Sequence, residues 1–396
     1  MKFLTPKTPI LFLKKFKIMD KNKKLKIMTI FGTRPEIIRL SRIFAEFDKY
    51  VNHIMVHTGQ SYDYEMNQVF FENLKIRKPD YFLEVKSETL GGQIAKIIEY
   101  SEKVLKKEMP DAVLVLGDTN STLAAIVAKR MKIPIFHMEA GNRSFDENVP
   151  EETNRKIVDH ISDINLSYSE NARLYLMREG VHPGTIYVTG SPFGEIYKYY
   201  KKDIDKSGIL KKMKLSPKKY FVVTAHREEN VENKELLAKL IDSLNAVAET
   251  YKMPIIMSTH PRTAKRLAEY KFKVNKLINF HKPMGYFDFN KLQKNAFCVL
   301  SDSGTIHEEA SIVGFPAIQM RISSERPEAF DEGVAILSGL DKDIILQSID
   351  ITIKQIAEGK KFNIPMAYRV DNVSSKVLRL IVGLAKIVRN KRGQGR

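Results

Sequence analysis

Two apolar runs, sixteen residues apart from end to start, constrain this chain more than anything else in it. Ala112-Val-Leu-Val-Leu116 and Ile133-Pro-Ile-Phe-His-Met138 lack polar alternation, the pattern of strands covered on both faces. A helical stretch, Leu123 to Arg130, joins them. The first run ends in Gly117-Asp118-Thr119 and the second in Glu139-Ala-Gly141; a polar loop then reaches Pro150-Glu151-Glu152 and a further helix. Asp118, Glu139 and Glu151 therefore stand at strand ends or helix starts, where an open parallel sheet has its crevice. Acids so placed suit proton chemistry, rejection of anions or sugar binding. The plain alternative is that they are helix caps and turn residues.

The same strand–helix spacing continues on both sides. Upstream, a strand over 25–31 runs into Gly32-Thr-Arg34-Pro-Glu36, with a helix expected from near Ile37. Glycine, a helix start and a bidentate cation suit an anion there, although the segment is no dinucleotide fingerprint. Further strands are expected at 54–57 and 164–167, and a strand with its turn at 186–192, with helices near 64–74, 91–107 and 170–179. A lysine-rich stretch, 198–219, holds Gly208 and Pro217 and marks a border. The pattern then restarts with strands near 220–224, 254–258, 277–280, 297–300 and 314–320. The fold class is α/β, with two Rossmann-like domains in tandem and a ligand cleft between them. Their expected bounds are 25–197 and 198–370. A disordered basic extension is expected over 1–24, and an amphipathic helix with a loose tail over 371–396.

In the second half, Ser303-Gly304-Thr305 before a helix makes another anion cradle. Glu309, one to two turns further on, suits a pair of ribose hydroxyls. Arg326 suits phosphates, or equally an ion pair with a nearby glutamate. The 65 Lys and Arg against 47 Asp and Glu, a net +18, favour an anionic partner. No Arg-rich stripe with interleaved aromatics accompanies that charge, so nucleic acid is not expected. Ile10 to Leu13 is too short to cross a membrane and lacks a cleavage site, so neither a span nor a signal peptide is expected. The single cysteine, Cys298, excludes a disulfide framework or a cysteine metal cluster and fits a reducing compartment.

Seven blocks, in order, resemble the non-hydrolysing UDP-N-acetylglucosamine 2-epimerase family. They are Gly32-Thr-Arg-Pro-Glu36, Gly117-Asp-Thr119, His137-Met-Glu-Ala-Gly141, Pro150-Glu-Glu-Thr-Asn-Arg155, His226-Arg227-Glu228, Asp302-Ser-Gly304 with Glu308-Glu309, and Glu325-Arg-Pro-Glu328. The resemblance covers residues 25 to about 380. It implies the glycosyltransferase-B architecture and a UDP-sugar substrate. It also implies a cytoplasmic homodimer without metal or nicotinamide cofactor, and elimination and re-addition of UDP as the route to inversion at C2. By the same resemblance Asp118, Glu139 and Glu151 are the catalytic acids, with His226 in the catalytic site. Arg34 holds phosphate near the reacting sugar, and His260 lies in the nucleotide site. Ser303 and Gly304, with Thr305, hold the diphosphate, Glu309 the ribose and Arg326 the phosphates.

Some positions depart from the family pattern. Gly59 to Tyr64 replaces the activator-binding segment of bacterial members, so substrate activation is not expected. Asn142-Arg-Ser-Phe-Asp146, Gly190-Ser191-Pro192 and His307 are further variants. They also resemble the branch acting on related sugars, such as UDP-N-acetyl-L-fucosamine or the diacetamido glucuronates. Glycosyltransferases share the fold, and a non-catalytic nucleotide-sugar binder is a further alternative.

Overall fold

The computed structural model describes residues 24–59, 68–147, 149–225, 227–259 and 261–391. His226, His260, residues 60–64 and nearly all of the N-terminal extension lie outside the described residues. Seven parallel strands form the first sheet: β1 (Lys26–Phe31), β2 (Asn52–His57), β3 (Tyr81–Phe82), β4 (Ala112–Leu116), β5 (Ile135–Met138), β6 (Ile164–Ser167) and β7 (Ile186–Val188). Their spatial order is β3-β2-β1-β4-β5-β6-β7. The second sheet holds β8 (Phe221–Thr224), β9 (Ile255–Ser258), β10 (Ile278–His281), β11 (Cys298–Ser301) and β12 (Ala317–Gln319), in the order β10-β9-β8-β11-β12. In each sheet the chain works outward, then returns to the other side of its first strand. That reversal, between β1 and β4 and between β8 and β11, opens a crevice at the carboxyl ends of the strands.

Each central strand is buried on both faces. Ile27, Phe31, Leu114 and Phe136 pack into one apolar cluster, while Met28, Ile30, Val113 and Val115 pack into the other. This is why the sequence shows continuous apolar runs instead of alternation. The register pairs Val113 with Ile135 and Leu116 with Met138. The two strands therefore end level, and the residues after them emerge side by side.

Helix α1 (Arg34–Tyr50) starts three residues before the expected Ile37. Pro35 is pre-set for a first turn, and Thr33 and Glu36 form a capping box. Helix α2 (Pro150–Ile161) begins likewise with a proline. Helix α3 (Phe193–Lys206) runs unbroken through the expected border at 197/198. Its Ile196, Tyr197, Tyr200 and Ile204 join the core of the first sheet, so its lysines mark a solvent face and not a linker. Three later helices matter for the site or the core: α4 (Tyr286–Asn295), α5 (Ile306–Val313) and α6 (Val373–Lys391). Helix α6 crosses back: Val373, Val377, Leu378, Ile381 and Ala385 are buried with Phe44 and Phe47 of α1. Arg389 near its end pairs with Asp111 at 2.9 Å. No helix among the described residues is long and apolar enough to cross a membrane.

Candidate active site

The ends of β4 and β5 are tied together before any acid enters. The Gly117 amide donates to the Met138 carbonyl at 3.0 Å, and His137 Nε2 donates to the Gly117 carbonyl at 2.8 Å. Glu139 follows at φ +63°, a left-handed conformation that costs a non-glycine residue on the order of 1–3 kcal/mol. Its neighbours over-determine that geometry. Gly141, at φ +83°, gives its amide to the Asp159 carboxylate at 3.2 Å. A side chain there would place Cβ 2.3 Å from the Ala172 carbonyl oxygen, so only glycine fits. Asp159 also stands 2.9 Å from His137 Nδ1 and 2.7 Å from Arg143 Nη1. Burial alone would raise its carboxyl, but His137 and Arg143 hold it below the ordinary value.

Glu139 is buried and lies between two cations from distant parts of the chain. Arg39 of α1 pairs with Oε2, and Arg326, from the second half, reaches Oε1 at 2.6 Å. Asn142 Nδ2 adds a bond to Oε1 at 3.3 Å. Desolvation would raise the Glu139 carboxyl; Arg39, Arg326 and Arg155 reverse that and keep it ionised.

Asp118 is only partly buried and pairs with Arg155, whose Nη2 lies 2.7 Å from Oδ2. Arg155 also meets Glu152 at 2.6 Å and, across the cleft, Glu325 at 3.3 Å. Glu325 accepts in turn from Arg321 at 2.8 and 3.0 Å, and Arg227 approaches it to 3.4 Å. Asn154 fixes the loop by donating to the Asp118 carbonyl at 2.8 Å. Glu151, one residue before Glu152 in the first turn of α2, is half-buried and bonds to none of these groups. Of the three expected acids, Asp118 and Glu139 are each held in a charged cluster, and Arg155, the partner of Asp118, also helps keep Glu139 ionised; Glu151 joins neither cluster by a bond.

The first anion segment differs locally from its sequence reading. The amides of Gly32 and Thr33 already donate to Glu36 Oε2, at 3.1 and 2.8 Å. Ser121 donates to Glu36 Oε1 at 2.7 Å, so this buried carboxylate pins the loop after β1 to the loop after β4. Arg34 lies over the Phe70 ring at 5.4 Å, and burial lowers its guanidinium from the ordinary value. The α1 cation that pairs with Glu139 is Arg39.

In the second half the cradle is preformed. Ser303 and Thr305 hydroxyls lie 3.0 Å apart, ahead of α5. Thr305 donates to Glu309 Oε1 at 2.6 Å and Gln293 of α4 donates to Oε2 at 3.0 Å, fixing the Glu309 carboxylate. A Cβ on Gly304 would come 3.2 Å from Glu325 Oε2, 3.6 Å from Arg321 Nη1 and 3.9 Å from Arg227 Nη2. The cations beside the cradle are thus Arg227 and Arg321, whereas Arg326 turns to Glu139. Sequence reasoning gave no role to Arg39, Arg155, Arg227, Arg321 or Glu325.

Two reversing parallel sheets that meet across this network, with a hydroxyl-and-helix cradle on one wall, define the glycosyltransferase-B-like class of α/β proteins. Within that class the chain belongs to the UDP-N-acetylglucosamine 2-epimerase family, whose pattern matches residues 45–382. The UDP-N-acetylglucosamine 2-epimerase of Methanocaldococcus jannaschii is 41% identical over 340 residues, 84% of this chain and 93% of that protein. The solved UDP-N-acetylglucosamine 2-epimerase of Rickettsia bellii is 47% identical with a TM-score of 0.87, covering 92% of this chain and 98% of that one. The M. jannaschii enzyme solved in complex with UDP-GlcNAc and UDP superposes with a TM-score of 0.84 at 38% identity, over 91% and 100% of the two chains. Members of the family are isomerases.

Proposed function

We propose that this chain interconverts UDP-N-acetylglucosamine and UDP-N-acetylmannosamine by eliminating and re-adding UDP. The observation that carries the reading is Glu139, a left-handed, ionised carboxylate at a strand end, bridged to Arg326 of the opposite half beside Asp118. The relative solved with UDP-GlcNAc and UDP supports the choice of substrate. C2 of the sugar carries a weakly acidic proton with no adjacent carbonyl, so a free carbanion is out of reach. Removing that proton while the C1–O bond breaks gives 2-acetamidoglucal and UDP. Re-addition of UDP to C1, with protonation of C2 from the other face, inverts the centre. Atoms and oxidation state balance, so no redox cofactor is required. Asp118, Glu139 and Glu151 act as the proton-transfer set, with His226 beside them. Ser303, Gly304 and Thr305 hold the diphosphate, with Arg34, His260 and the neighbouring cations, and Glu309 takes the ribose. The first unit runs through the end of α3 and is completed by α6, and the enzyme works as a cytoplasmic homodimer.

The test is incubation with UDP-N-acetylglucosamine in heavy water, with no acceptor, followed by NMR of the sugar. Deuterium at C2 of both epimers is expected. An unchanged C2, with glycosylation of an added acceptor, would sink the epimerase reading in favour of a transferase. A second reading is a related UDP-2-acetamido sugar, of the N-acetyl-L-fucosamine or diacetamido-glucuronate kind. It is favoured by one contact: the variant residue Asn142 bonds directly to Glu139. Running the same assay with those sugars and comparing kcat/KM decides between the two.

A further inference from the structure

Glu308 lies in the first turn of α5 and is 1% exposed. Its Oε2 lies 3.7 Å from Arg326 Nη2, the nitrogen that bonds Glu139 Oε1 at 2.6 Å. Its Oε1 has no hydrogen-bond partner among the described residues. The groups that face it are Arg326, Arg39 and Glu139, with Glu309 from its own helix and the hydroxyls of Tyr168, Tyr286 and Tyr368. Both cations bond Glu139, and in Arg326 the nitrogen nearer Glu308, Nη2, is the one that does so, while Arg326 Nη1 has no hydrogen-bond partner among the described residues. An ionised carboxylate buried without donors is strongly disfavoured, and a like charge nearby adds to the cost. The protonated form escapes both penalties.

We propose that Glu308 is a positioning residue that works in its protonated form, leaving Arg326 undivided on Glu139. The inference rests on the epimerase reading given above. Burial pushes the Glu308 carboxyl up to about 7, offset in part by Arg326 and Arg39. When the proton leaves, two carboxylates from opposite halves compete for one guanidinium. Glu139 then loses part of its anchor, and turnover falls while the nucleotide cradle is untouched.

The experiment compares pH profiles of wild type and Glu308→Gln, whose amide copies the neutral acid. In wild type, kcat at pH 6.5 should exceed kcat at pH 8.5 by at least about fivefold, with KM changed less than about twofold, because one group titrates between these values. In Glu308→Gln the same ratio should be below about two. An equal alkaline limb in both proteins overturns the inference. A second measurement does not need activity. The ¹³C carboxyl resonances of glutamate-labelled wild type are titrated, with Glu308→Met as a second variant for assignment. A resonance of Glu308 moving at or above about pH 6 supports the proposal, and one moving below about pH 5 overturns it. If heavy water leaves C2 unlabelled at every pH, the epimerase reading fails, and the carboxyl titration still decides the protonation of Glu308.

Discussion

Arg155→Met removes the one cation shared by Asp118, Glu152 and Glu325 while keeping most of the side-chain volume. The guanidinium is buried, and its contacts are 2.6, 2.7 and 3.3 Å long. Losing one member of a buried ion pair costs about 3–5 kcal/mol, because the partner charge stays buried. For a domain of about 150–250 residues, about 2–4 °C per kcal/mol converts this to a fall in Tm of about 6–20 °C. The pH dependence follows from Glu325. Burial would raise that carboxyl, but Arg321, then Arg155 and Arg227, hold it well below the usual carboxylate range. A depressed carboxyl contributes stability that is present above its unfolded value, about 4.3, and lost as pH falls through its lower folded value. The penalty of the variant should therefore be flat from pH 8 to about pH 5 and close only in stronger acid. Urea melts of both proteins at pH 8, 6.5 and 5 measure it. A penalty under about 1 kcal/mol at pH 6.5 would refute the argument, because it would put the network in the class of solvent-screened surface pairs.

Other outcomes follow from single contacts. Glu139→Gln should lower turnover at least about a hundredfold and leave UDP affinity within about threefold, as kinetics and calorimetry on one preparation would test. Glu309→Gln should weaken UDP binding about thirtyfold, or about 2 kcal/mol, and unchanged affinity would remove Glu309 from the nucleotide site. Gly141→Ala must place Cβ against the Ala172 carbonyl at a φ of +83° and should cost about 2 kcal/mol or more in a denaturant melt. The Cys298 thiol, buried and pushed up to about 12, should resist a thiol reagent at pH 8 until urea unfolds the chain.

The strands were legible because a buried parallel strand has no polar face to interrupt its apolar run, as in Ala112 to Leu116. The placement of Asp118 and Glu139 followed from the same pattern, since level strand ends put their next residues side by side. The border expected at 197/198 was read from lysines that lie on the wet face of α3, whose buried stripe is Ile196, Tyr197, Tyr200 and Ile204. The partners of the acids were not legible at all. Arg39 meets Glu139 across 100 residues and Arg326 meets it across 187, and no local pattern encodes such pairings. Glu36 was hidden for another reason: a capping-box glutamate reads like any first-turn acid until the hydroxyl of Ser121 is seen to reach it.

The return of α6 to the first sheet sets an order of events during synthesis. Val373, Val377 and Ile381 complete an apolar core whose other members begin at Ile27, whereas the core beneath the second sheet is drawn from residues 221–349. The later half can therefore finish packing while the earlier half still lacks its last wall. Translation at about 5–20 residues per second leaves that wall missing for on the order of ten seconds or more after α3 emerges. During that interval Phe44 and Phe47 face whatever is at hand, which makes the first half, although it is made first, the part of this chain with most need of a chaperone.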